Sequence, residues 1–247
     1  MSFISALRFL TVVPVPLRQQ ASKAQIGRSQ AYFPLVGVLI GLLLVGLDYV
    51  FGLRLPVSVA SGLLLVTLVL VTGANHLDGF IDTCDGLVGG RTPEQRREIM
   101  RDTRVGAFGV VGAVSLLLLK YVSIAGLPDS SRMEALILVP VLGRWAVVCC
   151  IFAFPYARPE GLGRAFKDEA SWLTFSVATV VALAVAVGFL HLQGLAVMSG
   201  VGLAALALGV LLKQKFGGLT GDTYGAVIEV GEVISLILVI AIPELIW

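Results

Sequence analysis

Three aspartates, Asp78, Asp82 and Asp85, stand at i, i+4 and i+7 in the run Gly73-Ala74-Asn75-His76-Leu77-Asp78-Gly79-Phe80-Ile81-Asp82-Thr83-Cys84-Asp85-Gly86. On a helix this spacing sets all three carboxylates on one face. Like charges so placed repel, and a hard divalent cation is the simplest way to offset them. Mg²⁺ takes oxygen ligands, usually one or two carboxylates completed by water and substrate phosphates. Further acids follow: Asp102, Asp222, and Glu229 with Glu232 at i, i+3. Arg101, Arg104 and Arg144 are the cations to set against them. Carboxylates that hold Mg²⁺ beside arginines that grip phosphate oxygens are the parts phosphoryl transfer uses. His76 stands at the head of the motif either as a general base or as a hydrogen-bonded structural group. Arg144, in mid-span, reads equally as a phosphate ligand or as the partner of an acid on another helix.

The elements that must position these residues are apolar helices. Hydrophobic residues make up 57% of the 247-residue chain and charged residues 14%, against about 25% charged in a soluble domain. Mean hydropathy is +0.94. The fold class expected is therefore all-α: a single polytopic membrane domain over residues 1–247. The three cysteines, Cys84, Cys149 and Cys150, form neither a zinc pattern nor a disulfide framework. No cleavable signal peptide is evident, and nothing points to nucleic acid.

In chain order, Phe3, Ile4, Leu7, Leu10 and Thr11 share a helical face in a run too short to span. An interfacial helix ended by Pro14 and Pro16 is expected. Spans are expected over residues 32–53, 57–73, 105–125 and 135–154, then two between 172 and 212 with a short turn near His191, and a last one over 225–242. That makes about seven. The segment 86–104 is polar, with Thr92-Pro93-Glu94-Gln95 as a helix start: a Thr cap, Pro in the first turn and Gln three residues on. Arg96 and Arg97 within it suit anionic headgroups. Residues 155–170 and 213–224 are two further polar loops. The glycines Gly37, Gly41, Gly106, Gly109, Gly112, Gly200, Gly202 and Gly209 are expected to be helix-packing contacts.

Seven spans put the N-terminus, the three aspartates and all three polar loops on one side. That side collects Arg8, Arg18, Lys23, Arg28, Arg91, Arg96, Arg97, Arg101, Arg104, Arg158, Arg164, Lys167, Lys213 and Lys215. The other side has Arg54 and Arg132, with Lys120 close to it. The positive-inside rule then makes the first side cytoplasmic, in the inner membrane of the cell. A cation transporter is the distant rival, disfavoured because the acids gather with arginines at one membrane face.

The motif as a whole resembles a known family. His76-Leu77-Asp78-Gly79, Asp82-Thr83, Asp85-Gly86 and Gly89-Gly90-Arg91 are similar to the signature of the cobalamin 5′-phosphate synthases, also called adenosylcobinamide-GDP ribazoletransferases. Further ordered blocks agree with that family: 98–109, with Arg101, Thr103 and Phe108 as conservative departures; Pro155-Tyr156-Ala157-Arg158-Pro159-Glu160-Gly161; and Gly217-Gly218-Leu219-Thr220-Gly221-Asp222 with Glu229 and Glu232. The resemblance covers the whole chain. It implies a Mg²⁺-dependent transferase of the cytoplasmic membrane that joins adenosylcobinamide-GDP to α-ribazole, or its 5′-phosphate, and releases GMP. It implies metal ligands among Asp78, Asp82, Asp85, Asp102 and Glu232. Catalytic roles fall to Asp82, Asp222, Glu229 and His76, and phosphate contacts to Arg101, Arg104 and Arg158. The partners implied are the two substrates and the bilayer, with a homo-oligomer or an assembly with other enzymes of the pathway left open. Other membrane transferases that use Mg²⁺-pyrophosphate, the CDP-alcohol phosphotransferases and prenyltransferases, space their aspartates differently.

Overall fold

A computed structural model describes residues 2–15 and 21–242. Every named element among the described residues is helical. The centre of the bundle is α8 (Arg132–Ala153), a largely apolar helix with Arg144 at its middle, whose best 18-residue window is 94% buried, against 28% for the corresponding windows of the peripheral helices. A helix apolar all round belongs where protein surrounds it; the others keep an exposed apolar face, as lipid-facing helices do. α3 (Phe33–Gly52) packs along α8 through its glycines: a Cβ on Gly37 would fall 2.6 Å from the Pro140 carbonyl oxygen, and one on Gly41 2.6 Å from Ile137 Cα. The other glycines read from the sequence as packing contacts behave likewise. Gly200 lies against Leu238 and Gly209 against Phe154.

The N-terminal helix α1 (Ser2–Leu10) is shorter than a span, as expected, and it is docked onto the bundle rather than lying free at an interface. It buries Ser5, Ala6 and Leu10, and Phe9 stacks on Phe33 with ring centroids 5.7 Å apart. Pro16 and Arg18 lie outside the described residues. α2 (Lys23–Arg28) is closed by a Ser22–Gln25 capping box and is tied to the second polar loop by an Arg28–Glu169 pair at 2.7 Å.

The span expected over 57–73, α4 (Val57–Val71), does not continue into the aspartates. Instead the chain breaks at Gly73 and Ala74, both left-handed at φ 63° and 57°, and the axis turns by 88°. The aspartates ride on a separate helix, α5 (Asn75–Gly89). α6 (Pro93–Ile99) starts with the expected Thr92–Gln95 capping box. α7 (Ala107–Ala125) runs back across the bundle. The second polar loop holds a short α9 (Leu162–Asp168), and it is joined to the third by an isolated bridge, Ala157 N–H to Leu219 O and Leu219 N–H to Pro155 O, each 2.8 Å.

α10 (Trp172–Phe216) has 45 residues, about 67 Å if straight. It is not straight. His191 is non-helical at φ 50°, ψ −129°, and the chain reverses there. Trp145 donates to Thr179 Oγ1 at 3.1 Å, while a Cβ on Gly202 would meet the same ring at 3.0 Å. Residues 23 apart touch one indole only if the two halves lie antiparallel. The turn expected near His191 is therefore present. It sits beside the end of α11 (Gly221–Ala241), where Gln193 donates to the Val239 and Ile242 carbonyls at 3.0 and 2.7 Å. At that same end Arg132 pairs with Asp48 at 2.8 Å. Five helices are long and apolar enough to cross a membrane, six if α4 and α5 count as one broken crossing.

Candidate active site

α5 and α11 cross at two glycines. A Cβ on Gly79 would lie 2.6 Å from the Asp222 carbonyl oxygen, and one on Gly225 2.9 Å from that of His76. Only bare backbone permits this approach, and it carries the aspartate motif up to the first turn of α11. There Thr220 caps the helix with Thr223. Asp222 accepts from Arg158 Nη2 at 2.8 Å. The charges of Asp78, Asp222, Asp85 and Arg158 all bear on half-buried Asp82. Among the described residues, neither Asp78 nor Asp82 has a hydrogen-bond or ion-pair partner, and Arg158 keeps a buried Nε donor with none. Two carboxylates without partners, a third already gripped by an arginine, and that arginine with a donor to spare form one group.

Asp85 faces the same way but is occupied. Its two oxygens accept the backbone N–H groups of Gly106 and Gly109, each at 2.8 Å. α7 has no cap of its own, so a carboxylate from α5 satisfies its first amides and meets the positive end of its dipole. A Cβ on either glycine would strike that carboxylate. Asp102 is also engaged: it pairs with Arg104 across 2.7 Å in an exposed loop, and the guanidinium holds its carboxyl down at about 2. Arg101 is exposed beside them.

Glu229 and Glu232 lie elsewhere, deeper along α11. Lys120 of α7 donates to Glu229 at 2.5 Å and to Glu232, and Arg144 of α8 also bonds Glu232. All four side chains are buried, with at most 7% exposed. The reading of Arg144 as the partner of an acid on another helix therefore holds. Lys120, placed by the sequence near the far side, is the partner that reading missed. The signal was present: a lysine within an apolar helix must find an acid.

Arg96 and Arg97 were expected at lipid headgroups. Instead Arg96 donates to the Gly86 carbonyl at 3.2 Å and to that of Leu87, closing the end of α5, and Arg97 donates to the Phe216 carbonyl at the end of α10. Cations at helix C-termini satisfy orphan carbonyls and offset the negative dipole end. Cys149 and Cys150 are buried core residues.

His76 is buried against the ion cluster, whose Arg144, Glu232 and Lys120 charges all act on it. It also lines a cavity of about 780 Å³ bounded by α1, α2, α3, α5, α8, α9, α11 and the 156–161 segment. Tyr156, Arg158 and Tyr224 line the same cavity, and burial raises the Tyr156 phenol above its ordinary value. No three His, Cys, Asp or Glu side chains among the described residues close into a ready-made metal cage.

These features define a polytopic helical membrane protein with an acid-and-arginine group at helix ends, beside a cavity that Arg158 also lines. The profile of the Cobalamin-5-phosphate synthase family matches residues 2–240. An adenosylcobinamide-GDP ribazoletransferase of Geotalea daltonii is 38% identical over 97% of both chains. One from a Roseiflexus species is 40% identical over 94% of this chain and 86% of its own, and one from Desulforamulus reducens 38% identical over 94% of each. No solved structure matches. The chain belongs to the cobalamin-5-phosphate synthase family.

Proposed function

We propose that this protein is an adenosylcobinamide-GDP ribazoletransferase acting at the α5–α11 crossing. The family and its relatives' names support the substrates. The observation that carries the location is the group Asp78, Asp82, Asp222 and Arg158, in which two carboxylates and one buried guanidinium N–H have no partner among the described residues. Unsatisfied groups of both signs, side by side, suit a ligand that brings phosphate with a cation.

The donor set fits Mg²⁺ as a substrate-completed site. Asp78 and Asp82 offer hard oxygens, and fewer than three protein ligands is the usual arrangement when phosphates complete the shell. Asp78 and Asp82 would hold the ion, which supplies neutralising charge to the phosphate oxygens when bound. Asp85, Asp102 and Glu232, with other duties in the structure, are left out of this set.

In the reaction proposed, the 3′-hydroxyl of ribazole attacks the phosphorus next to the cobinamide aminopropanol. A P–O bond forms, the pyrophosphate bridge breaks, and GMP leaves. Arg158 grips a phosphate oxygen with its spare Nε. Asp222, held in place by Arg158 and Thr220, accepts the hydroxyl proton. The side chains only position and stabilise; none forms a covalent intermediate.

The protein acts as one domain in the cytoplasmic membrane, with α10 counted as two crossings and α4 as a full one, seven in all. The N-terminus and the active site face the cytoplasm, supported by the excess of lysine and arginine on that side.

The test is turnover. Protein in liposomes receives adenosylcobinamide-GDP and α-ribazole 5′-phosphate, and GMP and the new corrinoid are followed together. Both form with Mg²⁺ and neither forms with EDTA. A folded protein that forms neither with Mg²⁺ refutes the assignment.

A further inference from the structure

In the sequence Arg8 is one positive charge among many; in the structure it has a particular place. It is the one charged side chain of α1. Ser5, Arg8 and Phe9, at i, i+3 and i+4, share the helical face that lines the cavity. The rest of the helix holds that face in position. Ala6 and Leu10 are fully buried, and the Phe9 and Phe33 rings lie 4.6 and 5.3 Å from that of Phe166. Arg8 itself is exposed and forms no hydrogen bond or ion pair among the described residues. An arginine serving lipid headgroups would face away from the bundle; this one shares its face with Phe9, whose ring belongs to the cavity wall.

Two other positive features adjoin the same cavity. Arg158 lines it with a guanidinium that bonds Asp222 through Nη2. The first turn of α11 reaches it through Gly221, where a Cβ would meet nothing within 4 Å. The positive end of a 21-residue helix therefore borders open space. Glu160 is the acid among the described lining residues; it is exposed and makes no ion pair with either arginine. Two guanidinium groups and a helix N-terminus around one cavity select an anion. Guanidinium forks match the oxygens of phosphate, and phosphate is the anionic group of the substrates assigned above.

We propose that Arg8 is a phosphate-binding residue of the active site, on the α1 wall of the cavity that Arg158 also lines, so that the N-terminal helix completes the substrate site. The proposal rests on the reaction assigned above. One chemistry has two sources here: the pyrophosphate of the donor and the 5′-phosphate of the acceptor. A helix too short to span the membrane thereby has a task beyond packing.

Arg8→Gln tests this without disturbing the fold, since the side chain is exposed; its unfolding temperature in detergent should match that of the unaltered protein. Inorganic pyrophosphate is titrated by calorimetry into full-length protein in detergent with EDTA. It should bind the unaltered chain saturably and the variant about tenfold or more weakly, the loss of one charge-assisted hydrogen bond. Arg8→Lys, which restores the charge without the fork, should recover part of that loss. Equal binding by the unaltered protein and Arg8→Gln, or none by either, overturns the proposal. Kinetics then name the source. A KM rise for α-ribazole 5′-phosphate but not for α-ribazole assigns Arg8 to the phosphate of the acceptor. A KM rise for adenosylcobinamide-GDP with either acceptor assigns it to that of the donor. Unchanged KM for all three overturns a role in the active site. An effect confined to liposomes of anionic lipid, and absent in detergent, makes Arg8 a headgroup contact and also overturns it. Pyrophosphate binding through Arg8 in a protein that releases no GMP with Mg²⁺ keeps the subsite and overturns the reaction.

Discussion

α11 carries acids of two kinds. Asp222 in its first turn belongs to a group short of partners, with Asp78 and Asp82 making no hydrogen bond among the described residues and Arg158 holding a donor in reserve. Two turns deeper, Glu229 and Glu232 are locked with Lys120 and Arg144, two acids against two bases, in full burial. The residue types are the same and the construction is opposite. Charges buried among apolar helices are tolerated only when paired, so the deep cluster joins α7, α8 and α11 and engages both glutamates, while Arg144 keeps its Nε and Nη2 donors without a partner among the described residues. At the helix ends water and substrate complete the shells of groups the protein leaves open. The comparison teaches that the pairing of an acid, more than its presence in the motif, distinguishes a structural role from a chemical one.

The largest effect expected from breaking this contrast is on the deep side. Glu232→Ala strips both Lys120 and Arg144 of a partner, and removing one member of a buried pair costs about 3–5 kcal/mol. Folded yield and thermal stability in detergent should fall sharply, and activity with them. Asp82→Ala should do the reverse, abolishing turnover while the unfolding temperature stays near that of the unaltered protein.

Next comes the crossing that assembles the site. Gly79→Val forces a branched side chain against the Asp222 backbone, displacing α5 from α11. A misplacement near 1 Å costs about 10²-fold in rate, measured on protein that still elutes as a folded species. A smaller loss is expected for Arg158→Lys, which keeps the charge and discards the fork. One charged hydrogen bond is worth about 1.5–3 kcal/mol, so kcat/KM should drop by about tenfold or more.

The smallest effect sharpens the comparison from outside both groups. Arg104 holds the Asp102 carboxyl at about 2, below its ordinary 3.8. A depressed carboxylate contributes stability above its unfolded value and loses it as pH falls through the folded one. Both lie far below neutrality, and the pair is exposed. Asp102→Asn should therefore leave the neutral pH–rate profile unchanged, with any difference in melting confined to strongly acid solution.

The sequence made the membrane class legible through its charge-poor helices and the aspartate face through its spacing, and it offered a pairing of Arg144 with an acid on another helix as one of two equal readings. It did not make the 88° turn before α5 legible. A glycine at Gly73 permits a left-handed residue, but Ala74 adopting one is imposed by tertiary packing, which residue type does not report. The role of Asp85 was half visible. Gly106 and Gly109 begin a helix that has no Ser, Thr or Asp to cap it, and such a start needs a carboxylate from elsewhere. Arg96 and Arg97 were misread because a loop arginine and a helix-end arginine look alike until the ends they close are known. The cavity was out of reach, since its walls come from segments scattered from α1 to α11.

The most direct test is turnover per folded molecule for Asp82→Asn beside Glu229→Gln, each removing one acid charge with little change in shape. Both are followed by GMP release with Mg²⁺ in liposomes, and by thermal unfolding. The division of labour predicts that Asp82→Asn unfolds as the unaltered protein does and makes no GMP, while Glu229→Gln unfolds earlier and turns over normally below its unfolding temperature. Turnover retained by Asp82→Asn, or lost by a well-folded Glu229→Gln, would contradict it.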